Sequence, residues 1–173
     1  MGEFNMEDSD REKRIRELYN LGLTAEKEGR GNIAFEHYNE ALGLANAENK
    51  KSFFLNLIGM LYKRWGKYEE SLECYQQSLQ LFEESGDTKN ICATLMLIGD
   101  IYNDWGKYKE AIEYYQQSTN AYKEVDNKEI STKGISMNLS STGIVYWSWG
   151  RYEESLECFQ QSLQIYDQIT FTM

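Results

Sequence analysis

Trp65-Gly66-Lys67-Tyr68-Glu69-Glu70 is the stretch whose reading decides the fold, because it returns twice. It comes back as Trp105-Gly106-Lys107-Tyr108-Lys109-Glu110 and as Trp149-Gly150-Arg151-Tyr152-Glu153-Glu154. Each copy runs into the same kind of segment: SLECYQQSLQLF from Ser71, AIEYYQQSTNAY from Ala111 and SLECFQQSLQIY from Ser155. Each follows an apolar stretch with a glycine and a tyrosine: Ile58-Gly59-Met60-Leu61-Tyr62, Ile98-Gly99-Asp100-Ile101-Tyr102 and Thr142-Gly143-Ile144-Val145-Tyr146. A diverged fourth copy stands in front, with Leu21-Gly22, Ala25, Gly29, Ala34, Tyr38 and Ala41. The marker glycines Gly22, Gly59, Gly99 and Gly143 step by 37, 40 and 44 residues. Recurrence at steps of this size signals stacked repeats.

Each unit reads as two helices and a tight turn. Leu95, Ile98 and Tyr102 stripe one face at i, i+3 and i+7, and Tyr108, Ile112 and Tyr115 stripe another at i, i+4 and i+7 after the turn. Gly106 follows Trp105 where a helix should stop, in the left-handed position that glycine adopts most easily. Glu110 falls at the start of the second helix, where the macrodipole favours a carboxylate. Ser85-Gly86-Asp87 and Val125-Asp126-Asn127-Lys128 are turn-forming stretches between units. There is no proline in the 173 residues, which permits helix nearly throughout. No strand pattern competes. The expected class is all-α: a right-handed α-α superhelix, or solenoid, of four helix-turn-helix repeats, because two short helices cannot bury their apolar faces alone.

Composition narrows the function. A formal net charge of −10 is wrong for a general nucleic-acid binder, which must displace counterions from phosphate, and for docking on an anionic membrane. Hydrophobic residues make up 41%, ample for a core, yet no run approaches a spanning helix and no apolar segment follows the charged N-terminus as a signal peptide would. A cytoplasmic location is expected. Cys74, Cys92 and Cys158 lack CxxC or Cys/His ligand spacing and read as reduced thiols, so no metal and no cofactor are expected. Residues 1–12 are expected to stay outside the array, Met1-Gly2-Glu3-Phe4 as a tag remnant and the rest as a polar lead; residues 13–173 form one domain with repeats at about 13–48, 49–88, 89–128 and 129–173.

In register, the units give Leu18-x2-Leu21-Gly22-x2-Ala25 then Ala34-x3-Tyr38, and Leu55-x2-Ile58-Gly59-x2-Tyr62 then Ser71-x3-Tyr75. The third and fourth give Leu95-x2-Ile98-Gly99-x2-Tyr102 then Ala111-x3-Tyr115, and Leu139-x2-Thr142-Gly143-x2-Tyr146 then Ser155-x3-Phe159. This resembles the tetratricopeptide repeat, W-x2-L-G-x2-Y followed by A-x3-F. The family's closing proline is missing and the steps exceed the usual 34 residues, so the chain looks like the long-repeat subgroup, which includes polarity-adaptor scaffolds and regulatory modules of signalling proteins.

The resemblance implies that the first helix of each unit lines a concave groove for a peptide or helix of a partner protein. Carried over by position, the lining is Tyr19, Leu23 and Glu26; Asn56, Met60 and Lys63; Met96, Asp100 and Asn103; and Ser140, Ile144 and Trp147. Methionine suits an adaptable apolar contact surface. Trp65, Trp105 and Trp149 repeat with the motif and are expected to pack between units, whereas Trp147 has Lys63 and Asn103 in its matching places and so reads as a partner contact. The expected function is a non-enzymatic protein-interaction scaffold; an effector-sensing module of a signalling or transcription regulator is the alternative. Catalysis finds no footing: His37 holds the register of Cys74, Tyr114 and Cys158, and Gly29-Arg30-Gly31 lacks the Lys-Ser/Thr of a phosphate loop. Arg11, Lys13, Arg14 and Arg16, interleaved with Glu12 and Glu17, read as a charge-laced helix start.

The last helix still carries Leu156, Leu163, Ile165, Tyr166, Ile169 and Phe171. Arrays need a polar outer face at their ends. This end is therefore expected to be covered, by self-association into a homo-oligomer or by further repeats of a longer array.

Overall fold

The computed structural model describes residues 8–170, with side chains to Asp167. Among these residues every regular element is helical: α1 (Asp8–Lys27), α2 (Gly31–Leu44), α3 (Glu48–Arg64), α4 (Tyr68–Ser85), α5 (Thr88–Asp104), α6 (Tyr108–Lys123), α7 (Lys128–Ser148) and α8 (Tyr152–Thr170). They pair as four helix-turn-helix repeats, as the sequence periodicity requires. The polar lead is helical from Asp8 onward, five residues before the expected start: Asp8 and Asp10 occupy the first turn, where carboxylates suit the dipole, and Asp8 pairs with Arg11 at 2.9 Å. Residues 1–7, including the expected tag remnant Met1-Gly2-Glu3-Phe4, lie outside the described residues.

The turn within each repeat is the same device four times. Gly29, Gly66, Gly106 and Gly150 have φ of 73, 71, 77 and 79°, a region that costs other residues energy. In each, the glycine and the residue after it donate back to the helix end, as in Gly106 N–H to Asn103 O at 2.9 Å and Lys107 N–H to Tyr102 O at 2.8 Å. This is the paired bonding of a Schellman stop, which satisfies carbonyls the helix would leave open. The basic residue that follows folds back on its own aromatics: Lys107 Nζ lies 3.3 Å from the Trp105 ring centroid, and the Arg151 guanidinium 5.0 Å from that of Trp149. Between repeats, Asp87 and Asn127 cap α5 and α7 by accepting from Asn90 N–H at 3.2 Å and Ile130 N–H at 3.0 Å.

Within a repeat the marker glycine brings the helices together. A Cβ at Gly22 would lie 2.2 Å from Tyr38 Cε1, and one at Gly99 or Gly143 2.8 Å from Tyr115 Cε1 or 2.9 Å from Phe159 Cε1. The aromatic ring therefore needs a bare backbone opposite it. Serines stitch the same pairs: Ser78 Oγ donates to Ser52 O at 3.1 Å, Ser118 Oγ to Cys92 O at 2.8 Å and Ser162 Oγ to Ser136 O at 2.8 Å. Each spans 26 residues, which explains the serine of the recurring Gln-Gln-Ser.

The chain divides into two compact units between Leu81 and Phe82. The core of the first gathers Ile15, Leu18, Ala25, Ala34, Tyr38, Phe54, Ile58 and Leu61. Buried Tyr38 donates to Glu26 Oε1 at 2.6 Å, and Glu26 also pairs with Arg64, so one carboxylate ties α1 to α2 and α3. The basic run on α1 is more than a solvated face: Arg14 reaches Glu40 on α2 at 2.8 Å, and Glu12 pairs with Lys50 on α3. In the second unit, Ala111, Ile112 and Tyr115 of α6 close around Val145 of α7.

Candidate functional site

The sites to test are the faces of the first helices, α1 and α3 in one unit, α5 and α7 in the other. On α1, Tyr19 is half-buried and sets its ring edge-on to Phe53, with centroids 5.4 Å apart, and to Phe54; Leu23 is half-buried beside it. On α3, Met60 is exposed while Asn56 and Lys63 are half-buried. The first unit thus presents a short mixed surface with one open methionine.

On α5 the expected lining is partly engaged by the fold. Met96 packs on the cluster of Ala111, Ile112, Tyr115 and Val145. Asp100 accepts the Tyr115 hydroxyl at 2.5 Å, and Asn103 is half-buried. On α7, Ser140 turns sideways to α8, its hydroxyl 2.7 Å from Ser162 Oγ, because that neighbour offers a hydrogen bond the open face does not. Ile144 and Trp147, by contrast, stand free at 50% and 63% exposure. Trp147 meets Tyr152 edge-on, with ring centroids 5.1 Å apart.

Two residues of this surface escaped the reading by position. Phe53 and Met137, exposed at 43% and 53%, lie one turn before Asn56 and Ser140 and extend the same stripes. The carry-over by position stopped short of both, and helical spacing, followed back one turn from Asn56 and Ser140, reaches them. Of the repeated tryptophans, Trp65, 38% exposed, lies 5.6 Å from Phe35 of α2 and Trp149 lies 5.9 Å from Tyr108 of α6, ring centre to ring centre, while Trp105 meets Lys107 of its own turn.

The residues expected to associate at the last helix divide by exposure among the described residues. Leu156, Leu163 and Tyr166 are exposed, whereas Ile165 is half-buried. The Ile169 side chain and Phe171 lie outside the described residues. Tyr152 and Phe159, not foreseen there, join this surface, and a shallow depression runs between Met137 and Ser140 of α7 and Phe159, Leu163 and Tyr166 of α8.

The cysteines are free, with Cys92 buried and Cys74 and Cys158 half-buried. Burial pushes the Cys74 and Cys92 thiols up to about 11, so both stay protonated and unreactive near neutrality. Among the described residues no three His, Cys, Asp or Glu side chains gather as a metal site would need, and no helix is long and apolar enough to cross a membrane.

Known proteins agree with this architecture. The photosystem I assembly protein Ycf3 of Rippkaea orientalis is 36% identical over 63 residues, 36% of this chain and 36% of that protein, so the chain spans about a third of that curated relative's length. Among solved structures, BtubC from P. vanneervenii superposes with a TM-score of 0.81 at 17% identity, over 96% of this chain and 68% of its own. A Rap protein complexed with competence and sporulation factor gives 0.72 at 17% identity, over 90% of this chain and 43% of its own. Tetratricopeptide repeat family models match residues 52–124 and 143–168. The glycine against its aromatic, the Schellman turn and the period of about forty residues are thus explained together, and the chain belongs to the tetratricopeptide repeat family.

Proposed function

We propose that this chain is a non-catalytic protein-interaction scaffold that holds a short segment of a partner protein on the exposed faces of its first helices. The observation that carries this reading is the pattern of exposure: Met60, Ile144 and Trp147 stay open on helices whose other faces are buried. A rigid helical surface needs little ordering on binding, so a few apolar anchors yield useful affinity. The half-buried polar groups Asn56, Lys63 and Asn103 suit the selection of one segment over another. An excess of ten negative charges speeds encounter with a basic partner more than it tightens the complex. Two similar proteins bear names that fit binding, an assembly protein and a protein complexed with a factor.

The test is affinity capture with the unaltered chain and with a Met60→Glu/Ile144→Glu variant. Both side chains are exposed, so the variant keeps its helical circular dichroism. Partners retained by the unaltered chain and lost by the variant support the reading; identical partner lists overturn it.

A further inference from the structure

We propose that the turn between α1 and α2 carries a binding site for one phenol ring, the side chain of a tyrosine presented by a partner protein.

The first repeat departs from the others just after its turn glycine. The later repeats read Lys67-Tyr68-Glu69-Glu70, Lys107-Tyr108-Lys109-Glu110 and Arg151-Tyr152-Glu153-Glu154, while the first reads Arg30-Gly31-Asn32-Ile33. It lacks the tyrosine and every carboxylate, and apolar Ile33 takes the last place. In the second unit the tyrosine has a partner. The Tyr108 ring lies against Trp149, the tryptophan of the next repeat, with centroids 5.9 Å apart and planes tilted by 33°. In the first unit Trp65 holds the register of Trp149 and faces Gly31, where a Cβ would lie 3.4 Å from the indole. The tryptophan is in place and its ring partner is not.

The space is there as well. A depression of about 380 Å³ is lined by Gly29, Arg30, Gly31, Asn32, Ile33 and Trp65, at the small end of the range that ligand pockets occupy. Trp65 and Ile33 are exposed at 38% and 37%, whereas Trp149 beside Tyr108 is half-buried. The rings of Phe35 and Tyr62, 5.6 and 5.9 Å away, hold Trp65 in its pose. A flat ring entering here packs on the indole as Tyr108 does, with its hydroxyl toward the polar rim. Arg30 pairs with Glu28 yet keeps N–H donors to spare, and Asn32 is exposed beside it. Tyrosine is therefore the side chain that the register and the lining both suit.

The gap arises inside the first repeat, from Gly31 itself. Residues 1–7 hold no tyrosine. They also cannot reach it: the 20 residues of α1 put Asp8 about 30 Å from the turn, and seven residues span at most about 25 Å. The site is separate from the first-helix faces, since Met60 and Ile144 take no part in it.

The experiment follows the indole N–H resonances of the 15N-labelled full chain, with Trp65 and Trp149 assigned from Trp65→Phe and Trp149→Phe. N-acetyltyrosinamide should shift Trp65 saturably, with a Kd on the order of a millimolar, and leave Trp149 in place. N-acetylleucinamide should bind about three-fold or more weakly, the margin that aromatic packing supplies. Gly31→Tyr puts the chain's own ring in the seat, on backbone that is already helical. It should abolish the shift and melt above Gly31→Ala, which loses the same glycine but brings no ring. The Met60→Glu/Ile144→Glu variant should bind as the unaltered chain does. No saturable shift at Trp65, equal shifts at Trp65 and Trp149, equal binding of the leucine amide, or binding that survives Gly31→Tyr overturns the proposal. Binding of p-cresol without the tyrosine amide would make this a site for small free phenols and also overturn it. So would sedimentation showing a dimer that Gly31→Tyr dissolves, which would seat a second copy's tyrosine here.

Discussion

The Tyr115 hydroxyl donates to Asp100 Oδ1 at 2.5 Å, and this one bond diverts a residue of the expected binding surface into holding the third repeat together. Phe159 fills the same register in the fourth repeat, so the site tolerates a ring without its hydroxyl. Tyr115→Phe should therefore keep the packing and lose a hydrogen bond to a charged acceptor, about 1.5–3 kcal/mol. Urea unfolding followed by circular dichroism measures it, and an unchanged midpoint would show that the bond contributes nothing.

Two glycines should respond in opposite directions to the same substitution. A Cβ at Gly22 would collide with the Tyr38 ring inside the first core, so Gly22→Ala should destabilise by about 1–3 kcal/mol. Gly43 lies in the last turn of α2 with nothing within 4 Å of the place an alanine methyl would take, so Gly43→Ala should stabilise by about 0.4–1 kcal/mol through the unfolded state. Thermal melts of both variants decide whether close approach or mere chain freedom explains each glycine.

Alkaline pH should weaken the fold through its tyrosines. Burial raises both Tyr38 and Tyr115 above the ordinary phenol value, reinforced by the carboxylates of Glu26 and Asp100. A raised folded value means that the native state holds the proton more tightly than the unfolded chain. The resulting stability is complete below about pH 10 and is lost as pH climbs past it. The urea midpoint should decline above that pH, with late phenolate absorbance rising together with unfolding; phenolate appearing while the helices stay intact would contradict the burial of these rings.

Thiol labelling should rank the cysteines. Cys92 is buried and its thiol is pushed up to about 11, so it should react with a disulfide reagent at pH 8 only as the protein opens. Cys158, half-buried, should react first of the two. Equal native rates for Cys92 and Cys158 would be inconsistent with the packing of α5.

How far the sequence could be read follows from how many forces act on each residue. Gly66, Gly106 and Gly150 were legible as helix stops, since backbone geometry alone demands them. Tyr115 and Ile112 were legible as core because an apolar stripe has one place to go. Ser140 was not, because position on a helix tells which way the Cβ leaves but not which neighbour a hydroxyl will bond. Asp100 was hidden for the same reason: the Tyr115 hydroxyl that holds it lies 15 residues further along. Phe53 and Met137 were missed by one turn of counting, and α1 began early because its own ion pair and first-turn acids support the added residues.

The serine stitches have a consequence for how such a chain can grow. Ser78 with Ser52, Ser118 with Cys92 and Ser162 with Ser136 all close over the same short interval, inside one repeat. A block excised or copied between successive loops would carry both ends of its serine fastening with it, leaving only the links between repeats, such as Glu26 with Arg64, to be remade at the seam. Lengthening by whole modules is therefore cheap for this architecture, while an insertion of arbitrary size within a block would tear it.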